Sequence, residues 1–435
     1  MNTQPSADPY LPGHGDPSYT VDHYDLDIDY TLLGNRLDGR ATLTVRSLVD
    51  GLDSLTLDLH HLKVVSVRGV RTTRHTHRRG RLVLQLAEPL ASGQTAEVIV
   101  AYRGVPKVVR DKAGDAGWEE LEDGAIVASQ PGGAPSWFPC NDRTDAKATY
   151  RITIAAPADY YVVANGVRTD RRRRSSRTVW SYEQRELMAP YLATVQIGLY
   201  AEHEISGCSV PLSGVVAPSL RARFDEAFAD QPRMIAEFER LFGPYPFATY
   251  RAVVTTDELE IPLEAQGLSV FGSNLLDRDW ESQRLIAHEL AHQWFGNAVT
   301  LRLLRDIWLH EGFACYSEWL WSEASGNGTA DERARRHHAE LADLKQNVVL
   351  GDPGVDDVFD DRVYKRGALA LHAIRLTCGD TAFFGMLRAW VERHRYGNVT
   401  TAEFEALVDE LCGSSAAGLV HGWVYSTDLP DLPAR

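Results

Sequence analysis

At 435 residues, with 44% apolar and 24% charged side chains, the chain has a globular composition and is too long for one ordinary core, so two domains are expected. A formal net charge of −15 argues against a general nucleic-acid binder, and no uninterrupted apolar run is long enough to span a membrane. The five cysteines are odd in number, widely spaced and without a CxxC pair, which fits a reducing compartment better than a disulfide framework.

The N-terminal stretch MNTQPSADPYLPGHGDPSYT is polar and rich in Pro and Gly. It lacks a basic start followed by an apolar segment, so no secretory leader is expected and the implied location is cytoplasmic. From residue 20 to about 205 the pattern has period two, as in HYDLDIDYTL, RATLTVRSL, RLVLQLA and ATYRITIAA, with turns such as Asn165-Gly166 between the runs. This predicts an all-β domain of antiparallel sheets. Two basic runs inside it, RHTHRRGR (74–81) and Arg171 to Arg174, lie between alternating segments and read as solvated hairpin tips.

Beyond about 220 the spacing changes to three and four. Helices are predicted over 219–243, 282–296, 306–326, 364–379 and 401–413, most ending at Gly. A strand-like stretch, TYRAVVTT followed by LEIPLEAQGLSVFG, separates the first two. The change of texture falls between 205 and 218, dividing the chain into residues 1–207 and residues 208–435.

The second part contains HELAHQWFGN (288–297), a His-Glu-x-x-His pattern on a predicted helix. Residues four apart share a helix face, so His288 and His292 can point at one ion, with Glu289 beside them. Glu311 follows near the start of the next predicted helix, in WLHEGFACYSEWLW. Two imidazoles and a carboxylate leave one tetrahedral position open, the arrangement of a catalytic rather than a structural zinc. A zinc so held makes water a nucleophile near neutral pH, and Glu289 is the candidate general base. HExxH alone arises by chance in roughly 3% of chains of this length and composition; a fixed later Glu lowers that to roughly 0.2%.

Together with the flanking blocks, these residues resemble the zinc aminopeptidases of peptidase family M1, in the thermolysin-like clan. The family pattern is HExxH, eighteen residues, then Glu within W-L-N-E-G-F-A; here the block reads WLHEGFA (308–314). WFPCND…KATYRIT (137–153), MAPYLATVQIG (188–198), VYKRGA (363–368) and EIPLEAQGLSVFG (260–272) resemble further family blocks, so the likeness extends over about residues 20 to 430. It implies an N-terminal antiparallel β-sandwich or saddle domain followed by a thermolysin-like, mainly helical zinc catalytic domain.

Carried over by position, the resemblance makes Tyr364 the hydrogen-bond donor to the oxyanion and Glu264 the residue that holds the substrate α-ammonium. Gln130 matches the β-domain residue that shares this task. Glu318 matches a carboxylate that orients a zinc histidine, against the plain alternative of a solvated helix charge. The implied activity is an aminopeptidase with one zinc ion per chain, acting on peptides with a free N-terminus, with no nucleic-acid or membrane partner. Another zinc hydrolase of the same fold, endopeptidase or epoxide hydrolase, and a catalytically silent binding module are the competing readings.

Three departures stand out. The family's G-A-M-E-N reads Ile261-Pro262-Leu263-Glu264-Ala265, so Pro262 removes a backbone N–H where substrate is expected to bind. The Asn before the third ligand is His310, readable as a hydrogen-bonding substitute or, less simply, as a stray ligand. The chain stops soon after the catalytic block, without the helical domains that roof larger relatives, so a more open cleft is expected.

Overall fold

The computed structural model describes residues 8–112 and 114–434. In the first part, alternation along each strand sorts side chains onto two faces. In Tyr19–Thr31, Tyr24, Leu26, Ile28 and Tyr30 are buried while Asp27 and Asp29 are exposed. This strand lies inside a seven-stranded sheet, in the order Val167–Arg174, Arg177–Met188, Ala148–Pro157, Tyr19–Thr31, Arg36–Ser47, Thr95–Gly104, Lys63–Gly69. A three-stranded sheet of Leu52–Asp58, Arg81–Leu90 and Thr72–Arg78 shares its core, to which Leu55, Leu57, Leu82 and Leu84 contribute. The sheets are antiparallel except where Tyr19–Thr31 runs parallel to Ala148–Pro157. A parallel pair needs a long crossover, which the intervening strands supply. Both basic runs flank hairpin turns: Arg79 and Gly80 adopt positive φ between paired Arg78 and Arg81, and Ser175 does so beyond Arg174.

The second part opens with a mixed sheet in the order Ala201–Ile205, Leu212–Val216, Tyr250–Val254, Leu268–Phe271, Leu263–Ala265. Its first strand lies on the N-terminal side of position 207. The earliest described residues also join this part, because Leu11 packs into its core and Asp8 accepts a hydrogen bond from the Leu304 N–H.

Where one helix is predicted over 219–243, the structure has α1 (Arg221–Ala227) and α2 (Gln231–Phe242). Pro232 explains the break: it has no N–H for the Phe228 carbonyl and its ring clashes there, so it serves instead in the first turn of α2. Next come α3 (Trp280–Ala291), α4 (Trp308–Ser325) and α5 (Ala330–Ala342). They are followed by α6 (Asp361–His394), α7 (Thr401–Cys412) and α8 (Ser414–Tyr425). The helix predicted over 364–379 does stop at Gly379, whose φ 76° and ψ 163° are not helical; a second helical segment follows at once, and α6 denotes the two together. Among the described residues, no helix is long and apolar enough to cross a membrane.

α4 and α6 cross with their backbones almost touching. A Cβ on Gly312 would come within 2.8 Å of the Gly367 Cα, and a Cβ on Gly367 within 2.7 Å of the Gly312 Cα. Since backbone cannot yield as a flexible side chain does, Gly312→Ala should lower unfolding stability by about 1–3 kcal/mol through overpacking, despite alanine's better helix propensity. A denaturant titration would register this as a lower midpoint with unchanged slope; an unchanged or higher midpoint would mean the crossing has slack.

Candidate metal centre and catalytic cleft

α3 begins cleanly because the Asp279 side chain accepts the Ser282 N–H, with Glu281 in the first turn. At its other end His288 and His292 lie one turn apart, edge to face, with ring centroids 4.8 Å from each other. α4 packs alongside and brings Glu311, in its first turn, against both rings. Glu311 Oε2 lies 3.4 Å from His288 Nε2 and 3.4 Å from His292 Nε2. That is long for a charge-assisted hydrogen bond. It is the separation of two donors on one tetrahedral zinc, about 3.3–3.4 Å for bonds of about 2.0–2.1 Å.

The other ring nitrogens are already engaged. His288 Nδ1 donates to Glu318 Oε1 at 2.8 Å, and His292 Nδ1 donates to the Phe295 carbonyl at 3.0 Å. These bonds keep the proton on each Nδ1, so that each Nε2 faces Glu311 and is the atom a metal would take in exchange for a proton. The donor set therefore fits a zinc ion at the point where the two Nε2 atoms and Glu311 Oε2 meet. An overlapping group, Glu264, Glu289 and His292, is also close enough to bind a metal, but it shares His292 and lacks the two oriented imidazoles.

The charges point the same way. Burial disfavours charge on both imidazoles, yet Glu311 and neighbouring carboxylates outweigh it and push His288 and His292 up to about 9. Glu311 is held well below the usual carboxylate range: burial alone would raise it, but the two histidines dominate. Burial drives Glu289 well up, against His292 and with help from Glu264 and Glu311. Glu264 rises to about 7, again through burial. So many acidic groups in one buried pocket favour a bound cation.

Glu289 lines the cleft, and its Oε2 is buried with no hydrogen-bond partner among the described residues. Tyr364, in the first turn of α6, lies nearly parallel to the His288 ring at 6.0 Å. Gln130 reaches in from the β domain, and its amide donates to Glu264 Oε1 at 2.6 Å and to Glu311 Oε1 at 3.1 Å. These side chains line one cleft of about 230 Å³, with Pro262, Leu285, Phe359, Arg284 and Lys365 completing its wall.

Gln293 and Asn297, not singled out from sequence, clamp the edge strand that carries Glu264. Both amides donate to the Ala265 carbonyl at 3.1 Å, and Gln293 Oε1 accepts the Gly267 N–H at 2.8 Å. Their place directly after HELAH was the available signal. His310 is not a ligand. Its Nε2 accepts the Leu301 N–H at 2.8 Å, and burial lowers it to about 3, so it is neutral.

Residues 20–192 match the Peptidase M1 N-terminal domain and residues 226–423 the Peptidase family M1 domain. Aminopeptidase M1 of Arabidopsis thaliana is 26% identical over 73% of this chain and 38% of its own length. Aminopeptidase N of Streptomyces lividans is 26% identical over 94% of this chain and 50% of its own. The chain thus spans half or less of the length of these curated relatives. A crystal structure of an M1 zinc metallopeptidase from Deinococcus radiodurans, a Glu-to-Ala variant bound to a Tyr-Ser-Ala substrate, superposes with a TM-score of 0.91. It is 29% identical and covers 99% of this chain and 100% of that one. The unsubstituted Deinococcus protein gives 0.90 with the same coverage.

His310→Ala should leave the Leu301 N–H buried without an acceptor and cost about 1–3 kcal/mol of stability. Its metal content, read by elemental analysis, should stay that of the parent; loss of metal in a folded protein would make His310 a ligand after all.

Proposed function

The chain belongs to peptidase family M1, and from that premise we propose that it is a zinc-dependent aminopeptidase, with one zinc ion per chain, that hydrolyses the N-terminal peptide bond of peptides. The observation that carries this reading is the single Gln130 amide bonded to both Glu264 and Glu311. It sets an anionic anchor for an ammonium group beside the metal-binding point, as removal of one terminal residue requires. The tripeptide held by the Deinococcus relative supports the substrate class. The odd, scattered cysteines support a cytoplasmic location.

His288, His292 and Glu311 would hold the zinc, which would supply Lewis-acid chemistry to water and the substrate carbonyl. Glu264, with Gln130, binds the free α-ammonium and fixes which carbonyl reaches the reacting position. Glu289 Oε2 takes the proton of the attacking water and delivers it to the leaving amine. The Tyr364 hydroxyl donates to the oxyanion as the carbonyl becomes tetrahedral. Glu318 and the Phe295 carbonyl hold the two imidazoles in the required orientation.

Elemental analysis should find about one zinc per chain, lost when His288 and His292 are both replaced by Ala. Glu289→Gln should retain zinc and lose turnover by at least about 10²-fold, because an amide cannot accept the proton. Tyr364→Phe should lower kcat by about 10²- to 10³-fold with little change in KM. A rise in KM alone would move Tyr364 from the oxyanion to substrate packing.

The exopeptidase claim has its own test, one peptide with free and with acetylated N-terminus. Acetylation removes the charge and leaves Glu264 unpaired, so kcat/KM of the parent should fall by about 10- to 100-fold. Glu264→Ala should erase most of that difference. Equal cleavage of both forms by the parent would identify an endopeptidase instead.

A further inference from the structure

Two of the five cysteines, 34 positions apart in sequence, meet in space. Cys378 Sγ and Cys412 Sγ are 3.1 Å apart, closer than two sulfurs sit without interacting. Each ends a helical segment, and each is followed by a glycine with almost the same unusual backbone. Gly379 has φ 76° and ψ 163°, and Gly413 has φ 87° and ψ 163°. A Cβ would meet nothing at either glycine, so the glycines serve the positive φ and not close packing. Two helix–glycine–helix joints therefore lie side by side with a thiol on each.

One ion pair between α6 and α7 supports this register independently of the sulfurs, and another spans the first joint. Arg375 bridges the first joint to Asp380 at 2.8 Å. Arg393, in the second half of α6, pairs with Glu410 of α7 at 2.7 and 2.8 Å, two residues before Cys412. Both thiols are only partly buried, whereas Cys140 and Cys315 are buried in the core. Cys208 is partly buried.

We propose that Cys378 and Cys412 form a dithiol modification site, which a small-molecule disulfide such as oxidised glutathione converts to an intramolecular disulfide joining the two joints. One thiol, after losing its proton, attacks a sulfur of the oxidant, whose S–S bond breaks and releases one reduced thiol. The second cysteine, also deprotonated, attacks the resulting mixed disulfide and releases the other. The protein loses two electrons and two protons, and the oxidant becomes two thiols. The sulfurs must close by about 1 Å to reach the disulfide bond length, within the reach of side-chain rotation. Fourteen residues separate Cys378 from Tyr364, about 20 Å along α6, so the staple acts on thermal stability rather than on the cleft.

The test incubates the full chain with oxidised glutathione, then alkylates and maps it by mass spectrometry, with melting followed in parallel. The expected product is lighter than the reduced protein by two hydrogens, with the peptides of Cys378 and Cys412 cross-linked and the other three cysteines alkylated. Its melting temperature should rise by about 3–8 °C, reversed by dithiothreitol. Cys378→Ser and Cys412→Ser should each instead carry one glutathione on the remaining thiol and show no rise. Persistent glutathione on both cysteines of the parent, a cross-link to another cysteine, or a cross-link without a melting shift would each overturn the proposal.

Discussion

Four carboxylates, Glu264, Glu289, Glu311 and Glu318, stand buried around two imidazoles, and so much acid cannot sit in a low-dielectric pocket without compensating positive charge. The fold answers in two stages. Glu318 is held down at about 2, against its own burial, by Lys365, His288 and Arg284. The rest of the charge converges where one Glu311 oxygen faces the two imidazole Nε2 atoms. A divalent ion there completes the balance that the protein's own cations only begin.

That convergence depends on helix geometry. The period of α3 brings His288 and His292 to one face, and the crossing of α4 and α6 at Gly312 and Gly367 sets Tyr364 against the same face. Glu311 is the immediate neighbour of Gly312, and Tyr364 lies three residues before Gly367. A thicker crossing would separate the ring from the carboxylate. The constraint is steric, and it is one reason two residues without side chains stand in well-packed helices.

Much of this was legible in the sequence, and for identifiable reasons. The candidate metal ligands follow from one helical repeat and the spacing of the family pattern, and the β domain follows from strict alternation. Gln130 had no such local signal. It sits in a loop 134 positions from the carboxylate it touches, and only the likeness of the flanking blocks singled it out. Two helices escaped the pattern. α5 buries only Ala330, Ala334 and Leu341 on an Arg- and His-rich rod, and α8 is apolar with interspersed glycines, so neither shows a clear stripe. The Pro232 break was visible as a residue type but was outweighed by the apolar spacing on either side. The role of His310 required the fold, because its partner is a backbone N–H on a neighbouring strand.

The Gln130 amide comes from one domain and rests on a carboxylate of the other that also faces the metal-binding point. Whatever steadies that carboxylate must, by reciprocity, be steadied by it. Through this contact, ion affinity and the docking of the two domains are coupled by the same free energy in both directions. A chain that loosens its domain contact releases its ion more readily, and a chain that has taken up its ion resists being pulled apart.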